Sequence, residues 1–176
     1  MKFVETTLAG AFLVKPEPIE DERGLFARTY CVNEFTAHDI SANFLQCSTS
    51  YNRRKDTLRG LHYQVAPYEE EKLVRCTRGA IYDVIVDLRP DSATRFKWHA
   101  EELTAENRCA LYIPKGFAHG FKTLVDGSEV FYQIGQLYNP AAANGIRWDD
   151  PLLNISWPGD VPHLSKRDRS YPDMRL

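Results

Sequence analysis

The chain lacks the features that would tie it to a membrane or to a highly charged partner. No stretch of about 18 consecutive apolar residues occurs among its 176, so nothing reads as a membrane-spanning helix. The opening MKFVETTLAGAFLVKPE is briefly apolar over Leu8–Val14, but Glu5 interrupts it. It has neither the apolar core nor the small-residue cleavage site of a signal peptide, so no leader is expected. Cysteine is sparse. Cys31, Cys47, Cys76 and Cys109 are scattered without a Cys-x-x-Cys pair, which argues for free thiols in a reducing cytoplasm and against structural zinc. Charge of one sign is missing too: a net charge of −2 offers no basic field for nucleic acid and no polybasic membrane patch. Internal repeats, low-complexity tracts and linkers are also absent. Hydrophobic residues at 43% and charged residues at 26% suit one globular domain over residues 1–176.

What is present is a succession of short strand patterns separated by turn residues. Ala11–Val14 leads into an extended Lys15-Pro-Glu-Pro segment, Asp21-Glu-Arg-Gly24 reads as a turn, and Leu25–Tyr30 alternates like a strand. Val32–Ser41 is the helix candidate of the first half, with Asn33 as its cap. Further strands are expected over Phe44–Ser50, Thr57–Gln64, Glu71–Thr77, Ala80–Leu88, Lys97–Leu103, Cys109–Ile113, Gly120–Val125 and Glu129–Tyr138. Strands recurring about every 8–12 residues indicate a β-sandwich or barrel. After Tyr138 the pattern loosens into a tail rich in Pro and Asp.

Two stretches carry the chemistry: Arg59-Gly-Leu-His-Tyr-Gln64 and Ile113-Pro-Lys-Gly-Phe-Ala-His-Gly-Phe121. Each embeds a histidine in an apolar strand context. Histidine titrates near neutral pH, so a carboxylate partner can make it a working base; the plain alternative is a pair of satisfied core histidines. A metal site is a third reading, because Pro114-x-Gly-x-x-His119 resembles the second motif of cupin barrels. The place of the usual His-x-His pair is taken by His62-Tyr63-Gln64, however, and two imidazoles with an amide are a poor nest for zinc or iron. Alternation puts His62 on the face of Leu58 and Gly60, with Arg59 on the other, so one pocket should not use both unless the strand serves two subunits. Asp83, with Asp87, shares the face of Ile81 and Ile85 and needs a partner if buried.

Other residues are candidates by type. Lys72 alternates with Val74 and Cys76; pointing inward, it would polarise a carbonyl oxygen, and otherwise it belongs to a solvated face. Tyr132 and Tyr138 share parity and are either packing residues or a proton donor and a stacking platform. Asp168 reads as an exposed tail charge unless the fold brings it to a histidine. Arg23, Arg59 and Arg167 can each clamp phosphate oxygens.

Taken together, these stretches resemble the dTDP-4-dehydrorhamnose 3,5-epimerase family. The matching runs are Asp21-Glu-Arg-Gly24, Leu58 through Gln64, Lys72-Leu-Val-Arg-Cys76, Asp83 through Arg89, Leu111 through Phe121, Trp148-Asp-Asp-Pro151, Trp157-Pro158 and Leu164-Ser-Lys-Arg-Asp168, in order over nearly the whole chain. The resemblance implies a cupin-type jelly-roll β-barrel with a few short helices, a homodimer with exchanged N-terminal strands, a nucleotide-diphosphate sugar substrate, and no metal or organic cofactor. It also implies roles. His62 would be the base, tuned by Asp168; Lys72 would stabilise the enolate oxygen; Tyr132 would return a proton to the opposite face. His119, supported by Asp83, would line the sugar pocket. Arg23 and Arg59 would hold the diphosphate, with Arg59 serving the partner subunit. Arg167, Gln46 and Ser48 join the binding set, and Tyr138 would stack on the base.

The family pattern is not met everywhere. Arg28 and Ala143 stand where the family often has glutamates that help hold the nucleotide, its Gln-Asp-Asn stretch reads Gln46-Cys47-Ser48, and the segment from Gln46 to His62 runs one residue longer. The expected activity is therefore 3,5-epimerisation of a nucleotide-linked 4-keto-6-deoxyhexose. A single-centre epimerase, a CDP- or GDP-linked substrate, a non-catalytic nucleotide-sugar-binding barrel and a metal-dependent cupin stand as alternatives.

Overall fold

The strand Ala80–Asp87 shows in one segment how this sequence makes its fold. Ile81, Asp83, Ile85 and Asp87 turn to one side and Val84 and Val86 to the other, and all six are buried. A strand buried on both faces must lie between two layers. The computed structural model describes residues 1–40 and 43–174 and places this strand in that position.

Among the described residues, thirteen strands and two short helices run in the order β1 Lys2–Glu5, β2 Phe12–Lys15, β3 Ile19–Asp21, β4 Gly24–Phe26, α1 Val32–Thr36, β5 Gln46–Asn52, β6 Leu58–Gln64, β7 Lys72–Arg78, β8 Ala80–Asp87, β9 Trp98–Thr104, β10 Ala110–Ile113, β11 Phe117–Thr123, β12 Ser128–Ile134, β13 Ala143–Gly145 and α2 Lys166–Ser170. A six-stranded sheet, β1-β2-β10-β7-β12-β5, faces a five-stranded one, β13-β6-β11-β8-β9; β3 and β4 form a separate hairpin. Val74, Cys76, Leu111 and Val130 of the first sheet pack against Ile81, Ile85, Leu103, Phe117 and Phe121 of the second. Full burial of each such side chain stabilises by roughly 1.5–3 kcal/mol. Helix α1 covers the outer face of the larger sheet, seating Phe35 on Leu73 and Tyr112. The segment after β13 covers the outer face of the smaller one, with Ile146 and Leu153 on Leu61, Val84 and Val86.

Several elements depart from the pattern read in the sequence. The helix begins at Val32 with Cys31 in the extended capping position and no side-chain cap, so Asn33 lies inside its first turn. It ends at Thr36, and Asp39 then adopts a positive φ of 59°, which turns the chain away. The expected last residue, Ser41, lies outside the described residues. The strand expected over Leu25–Tyr30 stops at Phe26, since Tyr30 leaves the hairpin to pack on Phe35 and Phe44. Strand β12 stops at Ile134 rather than Tyr138. Gly135 bonds to the Glu71 carbonyl at 2.9 Å, and a side chain there would displace the Glu71 carboxylate.

Strict alternation breaks in β6. His119 pairs with His62 and Phe121 with Arg59, so two steps along β11 match three along β6. This bulge sits at Gly60, which has φ +131° and lies so close to Gly120 and the His119 carbonyl that a Cβ would clash with both. One extra residue inverts the alternation, and Arg59 and His62 therefore face the same side of the sheet.

Candidate active site

A cavity of about 430 Å³ opens between the two sheets. Its walls come from β5 (Gln46, Ser48, Ser50), β6 (Arg59, His62), β7 and the residues before it (Glu70, Lys72), β11 (His119, Phe121), β12 (Tyr132, Ile134) and Tyr138 beyond it. Eight of the residues singled out in the sequence thus share one pocket: Gln46, Ser48, Arg59, His62, Lys72, His119, Tyr132 and Tyr138. Arg59 and His62 line it within a single chain, which corrects both the two-face reading of β6 and the assignment of Arg59 to a partner's pocket.

Asp168 and Asp83 stand behind the pocket. The Asp168 carboxylate lies 2.6 Å from His62 Nε2, with the imidazole 40% exposed and the aspartate 6%. Because Nε2 is turned to the carboxylate, Nδ1 is the nitrogen left for a substrate. Burial pushes the Asp168 carboxyl up, but the His62 contact outweighs it, helped by Ser165 and Arg167, and its pKa falls below the usual value. The tail is brought here by local contacts. Buried Lys122 binds the Pro158 carbonyl at 2.6 Å and Asp56 at 3.0 Å, and also the Asp160 carbonyl. Leu58 bonds to the His163 carbonyl at 3.0 Å, and Ser165 caps α2 through the Asp168 amide at 3.0 Å. Tyr171 then lies where a side chain on Gly145 would be, edge-on to His62 at 6.2 Å.

The second pair is sealed. His119 Nε2 lies 2.8 Å from Asp83, with the two side chains 5% and 0% exposed. Tyr132, on the wall facing β6 and β11, meets His119 edge-on at 6.0 Å. Burial pushes its phenol far above the usual value, the Asp83 charge adds to this and Arg59 opposes it. Tyr132 therefore carries its proton at neutral pH, as a donor must. Lys72 Nζ projects into the cavity and pairs with Glu70 at 2.8 Å. Burial also pushes the Cys76 thiol up to about 11, which removes it as a nucleophile. Among the described residues, no group of three or more His, Cys, Asp or Glu is arranged to hold a metal ion.

Two arginines lie elsewhere. Arg23 sits at the tip of the β3–β4 hairpin, 84% exposed and paired with Asp21. Arg167 lies outside the lining and contacts the phenols of Tyr138 and Tyr171. Arg28 is also remote, paired with Glu34 at 3.0 Å, and Ala143 is opposite Gln64 on β13. Sequence reasoning missed three residues. Glu70 pairs with Lys72; Asn52 accepts from Arg59 Nε at 2.7 Å and so aims it; Ser50 presents a buried hydroxyl to the cavity. Glu70 precedes β7, where strand alternation gives no signal.

Comparison with known proteins decides the kinship of this site. Residues 5–175 match the family described as dTDP-4-dehydrorhamnose 3,5-epimerase. The chain belongs to this family. The dTDP-4-dehydrorhamnose 3,5-epimerase of Methanothermobacter thermautotrophicus is 41% identical over 177 aligned positions, covering 99% of this chain and 95% of that protein. The crystal structure of the Bacillus anthracis enzyme with TDP and PPi bound is 40% identical with a TM-score of 0.95, covering 98% of this chain and 99% of that one. The family's cupin-type β fold is the fold found here, and the chain is an isomerase of the epimerase class. A 3'-monoepimerase from Streptomyces bikiniensis, in complex with dTDP-quinovose, has the same fold at 30% identity, with a TM-score of 0.87 and coverage of 96% and 85%.

Proposed function

We propose that this pocket inverts C3 and C5 of a nucleotide-linked 4-keto-6-deoxyhexose, converting dTDP-4-dehydro-6-deoxy-D-glucose to dTDP-4-dehydro-L-rhamnose. One observation carries the reading: an open His62–Asp168 dyad and a protonated Tyr132 stand on facing sheets, with Lys72 in the cavity between them. His62 Nδ1 takes the proton alpha to the C4 ketone, and the C–H electron pair moves into the enolate. Lys72 stabilises the C4 oxygen as it gains charge, and Tyr132 delivers a proton to the opposite face. The ketone acidifies both C3 and C5, so one base and one acid serve both centres in turn, once His62 has released its proton to solvent and Tyr132 has regained one from it. His119 lines the sugar end, Arg59 receives the diphosphate, and Tyr138, 56% exposed beside Arg167, offers a face to the base.

The reading includes a homodimer built through the N-terminal strands. Ile19 and Phe26 are cross-strand partners on the β3–β4 hairpin, 74% and 76% exposed, and Arg23 projects from the same hairpin away from its own chain's pocket. A second subunit would cover the apolar pair and receive Arg23. A cytoplasmic setting accords with the four free cysteines.

Proton NMR of dTDP-4-keto-6-deoxyglucose with the protein in deuterated water tests the activity. Loss of both the C3 and C5 signals is expected. Loss of one defines a single-centre enzyme, a second reading that the 3'-monoepimerase relative keeps open and that uses the same four residues. No exchange with this sugar or with its CDP- and GDP-linked counterparts would contradict the catalytic reading. Light scattering at the dimer mass, lost on Ile19→Asp with Phe26→Asp, checks the assembly.

A further inference from the structure

We infer that Glu70 is a positioning residue of the reaction, bridging the enolate-stabilising lysine to the segment that carries Tyr138. The inference rests on the epimerase reading and adds a residue to it. Glu70 lies largely buried in the cavity wall, with one carboxylate oxygen 2.8 Å from Lys72 Nζ and the other accepting from Gln64 Nε2 at 3.1 Å. The orientation of the Gln64 amide is fixed by its remaining partners. Its Oε1 accepts from the Asn139 amide at 2.7 Å, while the two Nε2 protons are shared among Glu70, the Tyr68 carbonyl at 3.0 Å and, more weakly, the Leu137 carbonyl at 3.3 Å. Gln64 therefore ties the backbone on both sides of Tyr138 to the loop before β7, and it can show Glu70 only N–H.

Residue 70 thus faces two donors, the Lys72 ammonium and the Gln64 amide, and a carboxylate answers both where an amide can answer one. With both oxygens engaged, Glu70 is not a free base. It acts through its neighbours. One arm holds the Lys72 ammonium in a single direction and offsets the cost of burying it, leaving its other protons for the C4 oxygen. The other arm sets the Tyr138 wall at the nucleotide end. The two ends of the pocket are linked by one side chain, and the arms are separable. Lys72 governs the proton-transfer rate, and the Gln64 link governs how well the substrate is held.

The test uses the full-length protein with the dTDP-linked ketosugar in deuterated water, measuring wash-in at C3 and C5, KM, and TDP affinity by calorimetry. Glu70→Ala loses both arms and is expected to slow wash-in roughly 10–100-fold, the cost of releasing a positioned group by about 1 Å, with KM raised and TDP affinity weakened several-fold. Glu70→Gln keeps an oxygen for Lys72 but sets an NH2 against that of Gln64. It is expected to recover most of the wash-in rate while KM stays raised several-fold. Wash-in by Glu70→Ala at the wild-type rate would overturn the assignment. So would a Glu70→Gln variant indistinguishable from wild type in both rate and KM, a result that can be read even if the alanine variant does not fold. A wild type that exchanges neither hydrogen sinks the epimerase reading itself, and the Glu70 assignment with it.

Discussion

His62 and His119 are cross-strand partners on neighbouring strands, and each turns Nε2 to an aspartate. The chemistry is the same and the exposure is not: one imidazole is 40% open to the cavity, the other 5%. An open dyad can take a proton from a bound molecule and return it to solvent. A sealed dyad holds its ring in place and shapes the wall. Burial therefore divides base from scaffold here, and the bulge at Gly60 helps decide which residues join the open one.

The largest expected effect breaks the open pair. His62→Ala removes the base and should lower kcat by at least about 10³-fold, with the fold and TDP affinity nearly intact by circular dichroism and calorimetry. Retention of more than a small fraction of activity would place the base elsewhere. The sealed pair should respond in the other coordinate. His119→Ala leaves Asp83, whose second oxygen has no other partner among the described residues, buried and uncompensated and should lower unfolding free energy by about 3 kcal/mol in urea titration; His62→Ala strands Asp168 less completely, since Ser165 and Arg167 still oppose its charge, and should cost less. Equal losses would erase the distinction drawn from burial.

Tyr132→Phe sharpens the division of labour across the cavity. It should slow inversion more than deuterium wash-in, because proton removal survives loss of the acid; parallel losses would contradict that role. The smallest effect is electrostatic. The Asp168 carboxyl titrates below its usual value in the folded protein, so the pairing contributes stability above the unfolded pKa of about 4 and loses it as pH falls through the lower folded value. The stability gap between wild type and Asp168→Asn should therefore narrow as pH is taken below about 4. A gap that widens on acidification would reverse the sign.

Much of this was legible in the sequence. The alternation of Ile81, Asp83 and Ile85, and of Lys72, Val74 and Cys76, gave the right inward faces, because those strands pair in unbroken register where those residues lie. Motifs spread along the chain pointed to the family. Two things were hidden. The bulge in β6 depends on close contact between Gly60 and Gly120 on another strand, so counting residues along β6 alone put Arg59 on the wrong face. The position of Asp168 depends on a tail stitched down by buried Lys122 and the Ser165 cap, 106 residues from His62, and no local pattern encodes such a contact.

The measurement that tests the account most directly is deuterium wash-in at C3 and C5 of the dTDP-linked 4-keto-6-deoxy sugar by His62→Ala and His119→Ala, side by side with wild type. The account predicts no detectable exchange by the first and slower but measurable exchange by the second. Exchange by His62→Ala together with none by a folded His119→Ala would show that the sealed histidine is the base and would contradict the account.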